Sequence, residues 1–220
     1  MGTLRFARAK RWTAVLLVAG IGLAGGASAT LLDRGPDLVY DDVLNITWTR
    51  QAGDGVTRNW ADSAAWANNL VFAGFDDWRL PWESVLAGAG PTTSPVDCTT
   101  VTELACRDNE MGYMFYHDLG GTFGQNKTGT QTALGGQVLT GIHDSNWSGT
   151  EEFNSLRAWI FGFGFGDEDF NVKTDGLFFA WAVRPGDVAA APEPSSMLLI
   201  GAGMLGLGWS RRRARLGSVS

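Results

Sequence analysis

Carboxylates dominate the reactive side chains of this sequence. They come in adjacent sets: Asp41-Asp42, Asp76-Asp77, Glu151-Glu152, and Asp167-Glu168-Asp169 with Asp175 close behind. Such sets read first as solvated acidic loops. The densest one, Asp167, Glu168, Asp169 and Asp175, is the candidate calcium site, because calcium takes about six to eight oxygen ligands from flexible loops. It does not follow EF-hand order. Glycoside hydrolysis needs two carboxyl groups facing across a cleft, and adjacency in the chain does not place them so.

The other candidates for chemistry are sparse. Two histidines each precede an aspartate, His117-Asp118 and His143-Asp144. Zinc needs about three or four ligands, and only the fold could assemble these four. Ser148 lies in Trp-Ser-Gly-Thr, not in a Gly-x-Ser-x-Gly elbow. Arg79 and Arg184 sit in short apolar motifs, where a guanidinium needs a carboxylate and suits a two-pronged pair. Glu151 is the expected partner of one of them. Arg79, Glu151 and Arg184 therefore read as structural rather than ligand-contacting.

Tryptophan is the other conspicuous resource. Trp48, Trp60, Trp66, Trp78, Trp82, Trp147, Trp159 and Trp181 lie between the two chain ends. An indole buries a large apolar area, so core packing is the first reading; stacking on a sugar face is the second. The candidate ligand-binding residues are Asn146 and Trp147, in a loop beside the acidic stretch from Asp167 to Asp175.

These residues need elements to position them. Leu38 to Thr49 reads as two short strands around Asp41-Asp42. Trp60 to Val71 reads as a helix, capped by Asn59 and ended by Gly74. A short helix is expected over Trp82 to Ala87 and another over Glu110 to Asp118, with Asn126 to Gln137 as a loop. Leu156 to Phe165 and Leu177 to Val183 look like paired strands, a closing antiparallel hairpin with the acidic stretch at its turn. The expectation is one α+β domain over residues 30–190.

Both ends point to a membrane. Arg5, Arg8, Lys10 and Arg11 precede an apolar run, and Ala27-Ser28-Ala29 is a small-x-small cleavage site, so residues 1–29 read as a signal peptide for the general secretory route. At the other end Pro192-Glu193-Pro194 stands before an uncharged, glycine-rich run, closed by Arg211, Arg212, Arg213 and Arg215. A helix over Ser195 to Ser210 would be about 24 Å long, short of a hydrocarbon core of about 30 Å. That length suits a temporary anchor with its arginines on the cytoplasmic side.

Between the ends, Thr30 to Glu193 keeps nine basic and 23 acidic residues, a formal charge of −14. That excess argues against nucleic acid or an anionic glycan as a diffuse electrostatic partner. Cys98 and Cys106 are the only cysteines, and in an exported chain they should pair.

Two resemblances follow. The order Pro-Glu-Pro, short helix, arginine cluster over residues 191–215 resembles the PEP-CTERM sorting signal. That resemblance implies an exosortase-type membrane protease as partner, a transient inner-membrane stay, and a destination at the cell surface or in the extracellular matrix beside exopolysaccharide. The series Trp60 to Leu70, Trp78-Arg79-Leu80-Pro81, Trp147-Ser148-Gly149-Thr150-Glu151 and Ala182-Val183-Arg184 resembles the DUF1566 family, which also closes a Legionella collagen-like adhesin. It implies a C-type lectin-like fold. Where related domains carry a cysteine before the last Val-Arg, this chain has Ala182. The expected function is non-enzymatic carbohydrate binding, set against a polysaccharide hydrolase and a purely structural matrix component.

Overall fold

The computed structural model describes residues 31–86, 94–153 and 155–188. The expected signal peptide and the sorting helix lie outside the described residues. Among the described residues no helix is long and apolar enough to cross a membrane.

The fold is one of small antiparallel sheets with few helices. Strands β1 (Leu31–Asp33), β2 (Leu38–Asp41) and β3 (Ile46–Thr49) form a meander. The turn between β2 and β3 is where Asp41-Asp42 falls, as expected. One oxygen of Asp41, Oδ1, accepts from the backbone N–H groups of Val43 and Leu44, both at 2.9 Å.

Helix α1 (Trp60–Asn68) starts at the expected cap, where Asn59 accepts from the Asp62 N–H at 2.9 Å. It ends before Val71. Asn69 caps it, its side chain donating to the Ala65 carbonyl at 2.8 Å, because a short amide competes well for the last carbonyls. Gly74 serves a separate purpose. With Ala73 (φ 52°) it takes a left-handed conformation (φ 86°) in the tight turn that joins Phe72 to Phe75.

No helix forms over Trp82 to Leu86. The N–H groups there are taken by other segments: Trp82 donates to Glu110 Oε2 (2.7 Å), Glu83 to Thr150 Oγ1 (3.0 Å), and Val85 to the Asp108 carbonyl (2.8 Å). With those bonds made outside the segment, a helical ladder has nothing to add. Helix α2 (Glu103–Cys106) was not expected. Helix α3 (Glu110–Tyr113) continues as a π-helical turn, Met114–Asp118, so the expected span Glu110 to Asp118 is helical throughout. Cys98 and Cys106 are bridged.

The remaining strands correct two expectations. Within the expected loop, β4 (Gly129–Thr132) pairs with β5 (Val138–Ile142). Strands β6 (Ser145–Glu151), β7 (Arg157–Gly162) and β8 (Asp167–Val172) form a meander, so the partners of β7 are β6 and β8. The run from Leu177 instead crosses between sheets. Phe178 bridges to Arg58, Phe179 to Asn146, and β9 (Val183–Pro185) joins β3. Ala180, Trp181, Ala182 and Val183 are all buried, which explains why a hydrophobic run that looked like one strand divides among several partners. The sheet order β1-β2-β3-β9 brings both ends of the domain together.

Candidate functional site

The tryptophans divide into two groups. Trp48, Trp78, Trp147 and Trp181 fill the core, while Trp60, Trp66, Trp82 and Trp159 are half-buried. Trp147 is fully enclosed: its Nε1–H donates to the Arg58 carbonyl at 2.8 Å and Phe178 meets it edge-on at 4.9 Å. Asn146 beside it is also fully buried and donates to the His143 carbonyl at 3.0 Å. The pair singled out as ligand-binding therefore packs the interior. The reason is Phe179, whose bridge to Asn146 covers the side of β6 that β7 leaves open.

Two half-buried indoles share one groove. Helix α1 contributes Trp60, Ala64 and Asn68, which its i, i+4 spacing places on one stripe. The opposite wall is Arg79, Leu80 and Trp82, and Gly149 of β6 completes the lining. The groove holds about 350 Å³. Trp60 is fixed by its Nε1–H, which donates to the Ser148 carbonyl at 2.8 Å. Trp82 lies against Gly149, where an added Cβ would come within 2.9 Å of the indole.

The charged groups around this groove are neutralised. Arg79 reaches 3.9 Å from the Trp82 ring centre and forms a two-pronged pair with Glu110, both bonds at 2.7 Å. Lys173 sits 4.3 Å over Trp60 and pairs with Glu151 at 3.0 Å. Arg184 pairs with Asp77 at 2.7 and 2.9 Å. Thus neither arginine uses Glu151; the carboxylates that match a fork lie elsewhere in the chain and only the fold brings them near. Apolar faces, an exposed amide at Asn68 and paired charges make a surface that can stack a sugar ring. Among the described residues, no carboxylate lines it.

The acidic stretch does not converge on a cation. It is a strand, and alternation sends Asp167 and Asp169 outward while Glu168 turns in, where Asn109 donates to it at 2.7 Å. Burial, with Asp97 nearby, pushes the Glu168 carboxyl up to about 8. Asp175 lies past the end of β8. Outward charges on this edge strand discourage pairing with another chain. Asp167 does line a polar cleft of about 560 Å³ with Asn126, Thr128, Asp144 and Ser145. His143 lies flat on Phe179 at 3.7 Å, and His117 packs on Tyr113 at 4.8 Å; burial lowers both pKa values. Among the described residues, no group of three or more His, Cys, Asp or Glu is placed to hold a metal ion.

Comparison with known families places this domain. Residues 37–184 match the Lcl C-terminal domain. The chain belongs to that family. Residues 190–213 match the PEP-CTERM protein-sorting motif, a span that includes Pro192, Glu193, Pro194, Arg211, Arg212 and Arg213. No curated protein and no solved structure matches the chain. The sorting motif marks this Lcl C-terminal domain as an exported surface protein, transiently anchored in the membrane and processed by an exosortase. Every residue of the groove lies inside the family match.

Trp60 and Trp82 had no separate signal in the sequence beyond the stripe Trp60, Ala64 and Asn68, large, small and polar at helical spacing. Glu110 was legible only as a helix-starting acid.

Proposed function

We propose that this Lcl C-terminal domain is a non-enzymatic matrix protein that binds neutral stretches of exopolysaccharide in the groove between α1 and the segment Trp78 to Trp82. The observation that carries the reading is two indoles, Trp60 and Trp82, set along one groove with an exposed amide at its edge. A formal charge of −14 between the two sorted ends favours a neutral polymer over an anionic one. The C-type lectin-like fold is part of this reading; pairing of the domain's two ends in one sheet supports it. So is the processing scheme: a signal peptide over residues 1–29, and a sorting signal over 191–215 removed near Pro192-Glu193-Pro194.

The test is binding of the secreted protein to purified exopolysaccharide, with Trp82→Ala as the variant. Stacking on one indole is worth about 1–3 kcal/mol, so binding should weaken roughly tenfold or more with the melting profile retained. Equal binding by Trp82→Ala rejects the groove. Blank binding by the parent protein, with co-purification in the matrix, favours a structural component. A hydrolase reading rests on Asp144 and Asp167 lining one cleft; reducing-end release that disappears in Asp144→Asn would support it.

A further inference from the structure

Asp41 and Asp118 face each other inside the protein. Asp41 ends β2 and Asp118 ends the π-helical turn, and they are 0% and 1% exposed. The two carboxyl groups are close enough to act electrostatically on one another. Asp41 Oδ1 is used by the backbone of Val43 and Leu44. Asp41 Oδ2 and both oxygens of Asp118 have no hydrogen-bond donor among the described residues. Three bare carboxylate oxygens are therefore enclosed together.

Enclosure of two adjacent carboxylates is costly unless a positive charge compensates them. The side chains around them, among the described residues, do not supply one. Arg107, the cation within electrostatic reach of Asp41, gives its guanidinium to Glu103 at 2.7 and 3.1 Å. The Tyr113 hydroxyl also donates to Glu103, at 2.7 Å. Asp42 adds a further negative charge nearby. A shared proton would join Asp41 Oδ2 to one oxygen of Asp118 and still leave the other Asp118 oxygen bare.

We propose that Asp41 and Asp118 are the carboxylate ligands of a structural calcium ion that joins the β2–β3 turn to the end of the π-helical turn. The donors are all oxygen, the set a hard cation prefers over zinc. Main-chain oxygens and water complete its coordination. An exported protein works where calcium is plentiful, and extracellular modules bind it at about 10⁻⁴–10⁻³ M. A π-helical turn is itself a geometry found most often at functional sites. The site is separate from the glycan groove and does not depend on it.

The experiment uses the secreted protein, stripped with chelator and then titrated with calcium chloride. Expected results are about one calcium bound per chain in equilibrium dialysis at millimolar free calcium and a melting temperature that rises with half-saturation near 10⁻⁴–10⁻³ M. Asp118→Asn should lose at least tenfold in calcium affinity, while Asp167→Asn on β8 keeps the full response. If Asp118→Asn does not fold, terbium luminescence of the parent protein, displaced by calcium, reports the site without a variant. The proposal is overturned if the parent binds no calcium in equilibrium dialysis at millimolar free calcium and melts identically with and without it, which is the shared-proton outcome. It is also overturned if Asp167→Asn, and not Asp118→Asn, removes the response.

Discussion

Arg79 and Glu110 meet fork to fork, Nη1 on Oε2 and Nη2 on Oε1, both at 2.7 Å. Glu110 is 2% exposed and also accepts from the Trp82 N–H, so this one carboxylate holds both the guanidinium and the backbone of the groove's second indole. The pair thus links the first residue of α3 to the wall of the candidate glycan site.

Removing Arg79 would leave Glu110 enclosed and uncompensated. Arg79→Ala is expected to destabilise by about 3–5 kcal/mol. Arg79→Lys should recover only part of that, since an ammonium cannot match the fork. Glu151→Ala, which breaks only the pair with Lys173, should cost about 1 kcal/mol or less. Urea midpoints of the three variants check this; equal losses for Glu151→Ala and Arg79→Ala would contradict it.

The strands β2 and β3, the start of α1 and the helical span from Glu110 were legible because each rests on local chemistry: alternation, an Asn cap, an apolar stripe. The Cys98–Cys106 bridge followed from export and from there being no other cysteine in the chain. What the sequence hid depends on partners far along the chain. Nothing local says that Phe178, Phe179 and Val183 pair with Arg58, Asn146 and Trp48. Nor does the segment after Pro81 announce that Glu110, Asp108 and Thr150 will take its N–H groups. The same blindness applied to the site. Trp147 and Trp82 are chemically alike, and only burial by Phe178 and Phe179 separates a core indole from one lining a groove.

From pH 5 to 8 stability should fall as pH rises, because the buried carboxyls Glu168 and Glu83 outweigh His117 and His143, whose lowered pKa values add stability as pH climbs toward 6.5. Burial first, then Asp97, holds the Glu168 carboxyl near 8, against an ordinary value of 4.5. Burial first, then Glu168, also raises the fully buried Glu83. The folded state therefore keeps protons that the unfolded chain has released. The stabilisation is full below about pH 4.5, shrinks through the interval up to about 8, and is then gone for Glu168. Within that window each proton costs up to about 1.4 kcal/mol per pH unit. Denaturant midpoints at pH 5, 6.5 and 8 in constant salt and calcium should decline, and Glu168→Gln should flatten the slope. A rise in stability over this range would reject the assignment.

Loss of the disulfide should be felt but survived. The bridge closes a short loop and ties the segment before α2 to its last residue. Replacing both cysteines by serine should cost about 2–3 kcal/mol. Thiol titration of the denatured, unreduced protein should find no free thiol. Two titrating thiols, or an unchanged stability in the double variant, would mean that the bridge is absent from the secreted protein.

Trp147 separates packing from recognition. Its indole fills space between β6 and the Phe178-Phe179 segment, and its Nε1–H satisfies the Arg58 carbonyl at 2.8 Å. Trp147→Ala opens a cavity and removes one of the two hydrogen bonds that the Arg58 carbonyl accepts, the other coming from the Phe178 N–H at 3.1 Å, for an expected loss of about 3–5 kcal/mol dominated by the cavity. Trp147→Phe refills part of the volume but not the hydrogen bond, so its loss should be smaller. Trp147 packs behind the groove, in one cluster with Leu80, Trp60 and Ala64, but does not itself line it, so glycan affinity per folded molecule should stay within about threefold of the parent. That ordering reverses for Trp82→Ala, which should keep most of the stability and lose the binding. Melting curves and binding isotherms on the same preparations decide it. A stable Trp147→Ala that no longer binds would place recognition at Asn146 and Trp147 after all.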